Sequence, residues 1–572
     1  MKYKSVISAY NEVGSVMKNK RVSASLLFIF LLVFSLLSGC RKNPVVYEPA
    51  EVSFSAESGA YPGDISLEMS APEGYSIRYT TDGSLPDKTS AKYTGSILLS
   101  GSGNQWLDQE TISKIKLEAI FFTLKETPEF MDAWIIRAAA FAPDGTMGPV
   151  STHTYFPGRS LSSEYPGVMV ISLVTEPENL LDYDNGIMVT GKYYNEWIQK
   201  EDNAKVLERP GQWYSIEANY TQTGKDWERP VVVELFDESD QLSIRQNGGL
   251  RIQGHASRMF THKSFRIYFR KDYGEKRLMY DLFPGDGTDS YRYLTLRNGG
   301  NTAENLPYKD AWQQSLLTGL SFTIQQARPA ILYLNGEYWG VYVLNDRYCE
   351  EYLEDHFGVK DTLIIKEDEI QDGDESAYYL YEELLSYGDQ DLSDPVIWEQ
   401  FSQIVDIQGM ADYFAAEVYM GNDFKPDSNM ELWRTVTVDP ENEYADGRWR
   451  FMLYDTEYSS GLYYQKTTSP EFNSLDKIIG NHPVFASALR NPEFRKLFLE
   501  SLKRIGAENF APERVNSTLD QWVSEWSDLM KNQFMRFGGQ REWLDKEVGL
   551  IKNFYAERYD YIISYAEEML GE

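Results

Sequence analysis

The order of two local patterns along the chain is the feature that most restricts its fold. Between residues 167 and 344, short apolar runs of strand length alternate with turn-forming residues, whereas helical periodicity dominates after about residue 375. The clearest helices are predicted at 406–420 and 513–537. Strands first and helices later indicate a two-lobed α+β domain over residues 167–572. The predicted strands are 167–174, 229–236, 249–252, 264–270, 293–297, 330–334 and 340–344.

A second strand-rich region precedes this domain. Residues 49–156 contain short β-type runs separated by the turn signals Asp82-Gly83 and Asp144-Gly145. This pattern predicts a small N-terminal β-sandwich. Residues 157–166, which begin and end with proline and contain glycine and serines, are predicted to be a linker.

The N-terminus has the pattern of an export signal. Three basic residues precede an apolar run at 26–37, which is too short for a permanent membrane span of about 20 residues. The run closes with Leu37-Ser38-Gly39-Cys40, which resembles a bacterial lipobox. We therefore predict a lipoprotein signal peptide at 1–39, lipidation of Cys40 and a tether at 40–48, with Met17 as an alternative start. An ordinary secretory signal with a chance cysteine is the competing interpretation.

This signal predicts an exported bacterial lipoprotein, anchored in a membrane through Cys40 and located at the cell surface or in the periplasm. The only other cysteine is Cys349, so no internal disulfide is expected, and we interpret Cys349 as a thiol of the core. Hydrophobic residues make up 42% of the chain, which excludes a disordered acidic protein.

The net charge is −32, and removal of residues 1–39 makes it −36, because five basic residues and one acid are lost. Such acidity excludes nucleic acid as a partner. It also makes a concentration of basic residues between 245 and 277 informative. The competing interpretations are a phosphate cradle and a hairpin with a basic exposed face. The basic residues are Arg245, Arg251, Arg258, Lys263, Arg266, Arg270, Lys271, Lys276 and Arg277.

Acidic residues follow a predicted strand near residue 450. Asp455 and Glu457 are two residues apart, so on a strand both carboxylates share a face and can bind one cation. Oxygen donors of this kind suit Mg²⁺ or Mn²⁺, although carboxylates at a strand end are often only solvated. Asp423 and Asn429 precede them, and the order base, amide ligand, carboxylate ligand is that of kinase-type phosphoryl transfer.

Five ordered strings of the chain resemble the spore-coat CotH kinase family, and the similarity extends from about residue 167 to residue 570. A further string, at 79–86, together with 137–141, resembles the chitobiase C-terminal type of β-sandwich module. The five strings are GLRIQGHASR (249–258), KSFR (263–266), LRNG (296–299), YLNGEYWG (333–340) and YDTE (454–457).

The CotH resemblance implies an atypical protein-kinase-like fold that binds ATP with magnesium or manganese and phosphorylates serines on secreted or surface proteins. It implies that Asp455 holds the metal, with Asn429 as second ligand. Glu457 is the third predicted metal ligand, from its spacing to Asp455. Asp346 stands where relatives tend to have glutamate and is expected to pair with a phosphate-binding base. The predicted ATP-binding residues are Arg251, Arg258, Lys263, Arg266, Arg297, Lys309 and Asp310.

The presumed catalytic base departs from the family pattern. Relatives place an aspartate about five residues before the asparagine, where this chain has Phe424, and Asp423 lies one residue earlier. Asp423 is therefore the predicted base of a surface Ser/Thr kinase. A non-catalytic surface adhesin that binds glycan or protein is the second hypothesis, motivated by the shifted aspartate and the accessory module. A glycoside hydrolase is the third, although no particular carboxylate pair stands out.

Overall fold

The computed structural model describes residues 47–103, 106–116, 124, 132–209, 212–422, 429–462 and 466–571. A sheet-rich N-terminal part is followed by a mainly helical C-terminal part, which confirms the predicted α+β class. Cys40 and Asp423 lie outside the described residues. Among the residues described, no helix is both long enough and apolar enough to cross a membrane.

The N-terminal module is built from short strands around one apolar core. A five-stranded sheet has the order Gly59–Tyr61, Ser151–Pro157, Trp134–Phe141, Ser76–Thr80, Ala91–Lys92. Its core includes residues of that sheet and of two smaller strand pairs. These pairs are Ser53–Phe54 with Met69–Ser70, and Ile65–Leu67 with Ile97–Leu99.

A closed seven-stranded barrel forms the first part of the larger domain. All neighbouring strands are antiparallel except the pair that closes the barrel, where Met169–Val174 runs parallel to Ala327–Leu334. All seven predicted strands are present, and those at 229–236 and 293–297 have the predicted bounds. In barrel order the strands are Met169–Val174, Arg229–Phe236, Ile244–Gln253, Ser264–Tyr268, Tyr293–Arg297, Glu337–Asn345 and Ala327–Leu334.

Alternation of side chains along the strands produces two cores. Ile171 and Leu332, paired across the closing strands, belong to the cluster that fills the barrel. Their neighbours Val170 and Ile331 point to the opposite side and belong to the cluster shared with the C-terminal helices. The barrel wall is therefore apolar on both faces where it meets the helices.

The sandwich packs directly on the barrel. The fully buried Glu234 of the barrel accepts hydrogen bonds from Ser58 Oγ at 2.6 Å and from Arg245 Nε at 2.7 Å. Arg245 Nη2 also donates to His153 Nδ1 of the sandwich at 3.1 Å. The first residue of the basic run is therefore a contact between the two folding units.

The segment predicted as a linker is folded against the barrel. Leu161–Glu164 is a helical turn, and the buried Arg159 lies between Glu164, at 2.6 Å, and the hydroxyl of Tyr333, at 2.8 Å. The domain limits drawn from the sequence remain predictions.

A second sheet and a group of helices complete the chain. The sheet has the order Glu369–Asp372, Thr362–Lys366, Glu431–Thr435, Arg450–Met452, and Leu278–Met279 pairs separately with Ser290–Tyr291. The α-helices are Gln109–Ile115, Leu161–Glu164, Pro177–Leu181, Gly191–Ile198, Glu201–Ala204, Lys309–Leu316, Glu350–Phe357, Tyr379–Ser386, Pro395–Ile404, Ile407–Met420, Ser474–Asn481, Pro483–Ala488, Pro492–Arg504, Pro512–Glu525, Ser527–Phe537 and Arg541–Leu570.

The helix predicted at 513–537 is two helices. Pro512–Glu525 ends and Ser527–Phe537 begins around Trp526, which is 2% exposed. The indole ring packs on Tyr308 with ring centroids 4.6 Å apart. Burial of this large side chain against Tyr308, the residue before the helix Lys309–Leu316, accompanies a break that the periodicity does not show.

Candidate active site

Three carboxylates from two separate segments converge on one guanidinium group. Arg297 is the last residue of the barrel strand Tyr293–Arg297. Its Nη1 donates to Asp310 Oδ2 at 3.0 Å, and its Nη2 donates to Asp455 Oδ1 at 3.1 Å and to Glu457 Oε1 at 2.6 Å. The structure thus brings together four residues that the sequence singled out.

Asp455 and Glu457 contact Arg297 through a backbone geometry that differs from the prediction. The strand Arg450–Met452 ends before Asp455, so the shared strand face expected for Asp455 and Glu457 is wrong. Asp455 instead has a left-handed backbone, with φ of 58°. This turn aims both carboxylates at the same nitrogen of Arg297.

The glycine-rich loop after Arg297 encloses Glu457. A Cβ at Gly300, where φ is 51°, would lie 2.2 Å from Glu457 Oε1, so only glycine fits. The next residue, Asn301, donates its backbone N–H to Glu457 Oε2 at 2.8 Å. The loop therefore both buries this carboxylate and supplies a hydrogen bond to it.

Asp310 is held in place by hydrogen bonds from the segment that contains Asp455 and Glu457. Its Oδ1 accepts hydrogen bonds from the backbone N–H and the hydroxyl of Thr456, both at 2.8 Å. Thr456 lies between Asp455 and Glu457, so Asp310 fixes the turn that presents both acids.

The three carboxylates outnumber the one guanidinium group, that of Arg297, with which they are paired. Glu457 is only 1% exposed, and burial, followed by the charge of Asp455, raises its pKa to about 8, although Arg297 acts in the opposite direction. Asp455 differs because 34% of its side chain is exposed. An accessible carboxylate beside excess negative charge is a donor set that fits a hard divalent cation.

Lys366 belongs to this site and was missed by the sequence analysis. It ends the strand Thr362–Lys366, with its ammonium group 3.4 Å from Glu431 Oε2 and 3.4 Å from the ring centroid of Tyr454. Burial lowers its pKa, while the charges of Glu431, Glu367 and Asp455 act in the opposite direction. No strand was predicted at 362–366, although the apolar run Leu363-Ile364-Ile365 before the lysine is a pattern that indicates one.

The basic run at 245–277 is distributed around the barrel and does not form one cradle. Arg251 pairs with Glu228 at 2.6 Å, and its guanidinium lies over Tyr268. Arg258 donates to backbone carbonyls, including that of Gln222 at 3.0 Å. Arg245, Arg270 and Arg277 are also paired with acids, so four of the nine basic residues are in ion pairs with other parts of the protein.

Lys263 is fully buried, and the structure surrounds it with protein groups. Its ammonium group donates to the carbonyls of Arg258 at 2.9 Å and Phe260 at 2.8 Å, and lies 3.7 Å from the ring centroid of Tyr220. Burial, followed by the charge of Arg258, lowers its pKa well below the usual value.

Arg266 occupies a different position from Lys263. Burial and the charge of Arg347 lower its pKa to about 10, and its Nε is buried without a hydrogen-bond partner among the described residues. Its charge also acts on the pKa of Lys366. Arg266 is therefore a buried member of the basic run whose charge acts on Lys366.

Three further residues that the sequence singled out are Lys309, Asn429 and Asp346. Lys309 forms a fully buried ion pair with Glu547 at 3.0 Å and also donates to a backbone carbonyl. Asn429 is buried two residues before Glu431. Asp346 lies with Asp286 and His356 rather than with a phosphate-binding base, so that expectation is not met.

Cys349 is a buried free thiol, as predicted. Its sulfur accepts the backbone N–H of Tyr352 at the start of the helix Glu350–Phe357. Burial raises the pKa of the thiol to about 12, which excludes a thiolate nucleophile near neutral pH.

The convergence of these motif residues on one site agrees with the comparison to known families. The family described as CotH kinase protein matches residues 250–562, more than half of the chain. The chain belongs to the CotH kinase protein family. The matched region of this CotH chain contains Arg297, Asp310, Asp455 and Glu457.

The N-terminal part of the CotH chain matches a second family. Residues 65–155 match the family described as Fn3 associated, and this range falls within the predicted β-sandwich at 49–156. No curated protein matches the chain significantly. Membership of the CotH kinase family implies the use of ATP and of a protein substrate.

Proposed function

We propose that this protein is a surface-anchored lipoprotein whose CotH domain transfers the γ-phosphoryl group of ATP to serine or threonine residues of secreted or surface proteins, with Mg²⁺ or Mn²⁺. The observation that carries the proposal is the convergence of Asp310, Asp455 and Glu457 on Arg297. This arrangement unites motif residues from three segments at one site. Phosphoryl transfer depends mainly on positioning and charge neutralisation, which such a site can supply.

In the proposed reaction, the hydroxyl oxygen of the acceptor bonds to the γ-phosphorus while the bond to the β–γ bridging oxygen breaks. ADP leaves, and the hydroxyl proton passes to a base, for which Asp423 is the candidate. Lys366, whose ammonium group lies over the ring of Tyr454, the residue before Asp455, and Arg266, whose charge acts on Lys366, are the candidates to bind phosphate oxygens.

A divalent ion, when bound, would neutralise phosphate charge. Asp455 would hold it, because its carboxylate is the most exposed of the three around Arg297. Glu457 and Asn429 are the proposed further ligands. Arg297 keeps Asp455 in its left-handed turn, so its role is to position the carboxylate.

The experiment is a phosphoryl-transfer assay with radiolabelled ATP and Mn²⁺, using autophosphorylation and casein as acceptors. We expect incorporation by the wild type, its loss in Asp455→Ala and a strong reduction in Asp423→Ala. Asp439→Ala, which removes an exposed carboxylate, is the matched control and should retain activity. Equal incorporation by Asp455→Ala and wild type would refute the proposed site.

Thermal unfolding separates the kinase from a non-catalytic binding module. A protein that binds ATP and Mn²⁺ only in its folded state gains stability from both together. We expect a metal-dependent rise in melting temperature with ATP. An unchanged melting temperature would contradict the proposal and favour the adhesin or glycan-binding alternative.

Anchoring through Cys40 is a separate part of the proposal and rests on the lipobox resemblance. Expression in a bacterium with a radiolabelled fatty acid should label the wild-type chain and leave Cys40→Ser unlabelled. Labelling of both would show that the fatty acid is attached elsewhere.

A further inference from the structure

We propose that Asp286, Asp346 and His356 bind a divalent ion of a first-row transition metal, such as Zn²⁺ or Mn²⁺. This site is separate from the carboxylates around Arg297 and does not depend on the proposed kinase activity. One ligand atom from each of the three side chains lies within 4.8 Å of the others. Metal–ligand bonds of about 2.1 Å require ligand atoms roughly 3–4 Å apart, so a small contraction would complete the shell.

The tautomer of His356 is the first support. Its Nδ1 lies 2.9 Å from the carbonyl oxygen of Tyr352, one turn earlier in the same helix. A carbonyl only accepts hydrogen bonds, so Nδ1 carries a proton. Without a metal, Nε2 donates to Asp286 Oδ2 at 2.9 Å, and a bound ion would replace the proton on Nε2. Metal-binding histidines characteristically donate the other ring N–H to a carbonyl or carboxylate in this way.

The state of Asp346 is the second, independent support. This residue is only 7% exposed, and its carboxylate accepts a hydrogen bond from the backbone N–H of the following residue, Arg347, at 2.6 Å. Among the described residues, no lysine or arginine forms an ion pair with it. A buried carboxylate with such poor compensation is costly unless a cation is nearby.

The groups that face the cluster add no compensating charge. Asp355 is adjacent, but it is committed to Arg277 at 2.6 Å. The ring of Tyr352 stacks on His356 with centroids 4.0 Å apart and shields one side of the imidazole. Two carboxylates therefore face a single imidazole in a largely enclosed space.

The donor set selects the class of ion. Imidazole nitrogen is a ligand for zinc, manganese and iron, whereas Ca²⁺ and Mg²⁺ prefer sites made only of oxygen. Two carboxylates and one histidine leave room for water at the remaining positions.

The three ligands come from three elements. Asp346 follows the barrel strand Glu337–Asn345, His356 lies on the helix Glu350–Phe357, and Asp286 lies on the loop before Ser290–Tyr291. That helix leads into the strand Thr362–Lys366, which carries Lys366. A bound ion would therefore tie the barrel to the sheet that contributes to the candidate active site.

The test is titration of the metal-stripped full chain with Zn²⁺ by calorimetry. Asp455→Ala serves as the background, because it removes the main ligand of the other proposed metal site. We expect about one Zn²⁺ per chain in this background, and affinity roughly tenfold weaker or worse when His356→Gln is added. His255→Gln, which removes an exposed imidazole, is the matched control and should leave binding unchanged. Equal Zn²⁺ affinity with and without His356→Gln would overturn the proposal.

A spectroscopic measurement decides the question if His356→Gln does not fold. Pulsed electron paramagnetic resonance of Mn²⁺, bound below one equivalent to Asp455→Ala, should show coupling to an imidazole nitrogen, and His255→Gln should retain it. The candidate site around Arg297 offers only oxygen ligands and gives no such coupling. Bound Mn²⁺ without nitrogen coupling would show that His356 is not a ligand.

Discussion

Arg297 donates a 2.6 Å hydrogen bond to Glu457, a residue 160 positions further along the chain. The bond joins the end of a barrel strand to the segment that follows the second sheet. Because the same nitrogen of Arg297 also holds Asp455, this contact fixes the most exposed acid of the candidate site.

Replacement of Arg297 should be strongly destabilising. Arg297→Met leaves Glu457 and Asp310 buried without their cation, and we expect a loss of about 3–5 kcal/mol in the free energy of unfolding. Urea unfolding measures this loss. Adding Glu457→Gln should restore part of it, because a neutral amide is buried without the need for a counter-charge or a bound proton. Lys205→Ala, at an exposed ion pair, should change the free energy by less than about 0.5 kcal/mol.

Lys366 and Lys263 should differ in their effect on nucleotide binding. Lys366→Met removes a cation that lies over the ring of Tyr454, the residue before Asp455. We expect ATP affinity in the presence of Mn²⁺ to fall about tenfold, as expected for one charge-assisted contact. Lys263→Met removes an ammonium group that donates to two backbone carbonyls, so ATP affinity should be retained. Calorimetric titration with a non-hydrolysable ATP analogue measures both. A larger loss for Lys263→Met would restore the role that the family resemblance implies for that residue.

His153 should make the protein sensitive to acid. Burial, with the charge of Arg245, lowers the pKa of His153 from 6.5 to about 3, so the unfolded chain binds a proton that the folded chain does not. The resulting stability is fully present above pH 6.5 and is lost as the pH falls toward 3, by about 1.4 kcal/mol per unit.

The comparison with His153→Gln isolates this effect from other titrating groups, including the neighbouring Glu57 and Glu234. The difference in unfolding free energy between wild type and variant should shrink by about 1.4 kcal/mol between pH 7.5 and 5.5. Urea unfolding at the two pH values provides the test, with exposed His255→Gln as control. A difference independent of pH would mean that His153 is protonated equally in both states.

Cys349 should be chemically inert in the folded protein. Its thiol is 4% exposed with a pKa raised to about 12. In the Cys40→Ser variant, where Cys349 is the sole cysteine, we expect no reaction with a thiol reagent under native conditions and one reactive thiol in guanidinium chloride. Rapid labelling of the native protein would contradict the buried position.

Local sequence patterns were sufficient for much of the fold. The apolar strand runs predicted all seven barrel strands, and the pattern at 406–420 predicted the buried helix Ile407–Met420. Both elements are specified by residues close together in sequence. The break at Trp526 was not predictable in this way, because it depends on packing against Tyr308, far away in the chain.

The candidate site was predicted only in part. The family motifs identified Arg297, Asp310, Asp455 and Glu457, which the structure brings together. The local density of basic residues was misleading. The acids that pair with them, such as Glu228 for Arg251, lie in other segments of the chain and do not enter a local charge count.

The sequence by itself determined the α+β class, the family and the acids of the candidate site, because periodicity and motif strings are local properties. The tertiary structure decided which charges remain available for function. It paired most of the basic run with internal acids and carbonyls, placed Lys366 over the ring of Tyr454, the residue before Asp455, and grouped His356 with two aspartates. The physical reason is that the state of an ionisable group depends on burial and on partners across space, and barrel closure sets both.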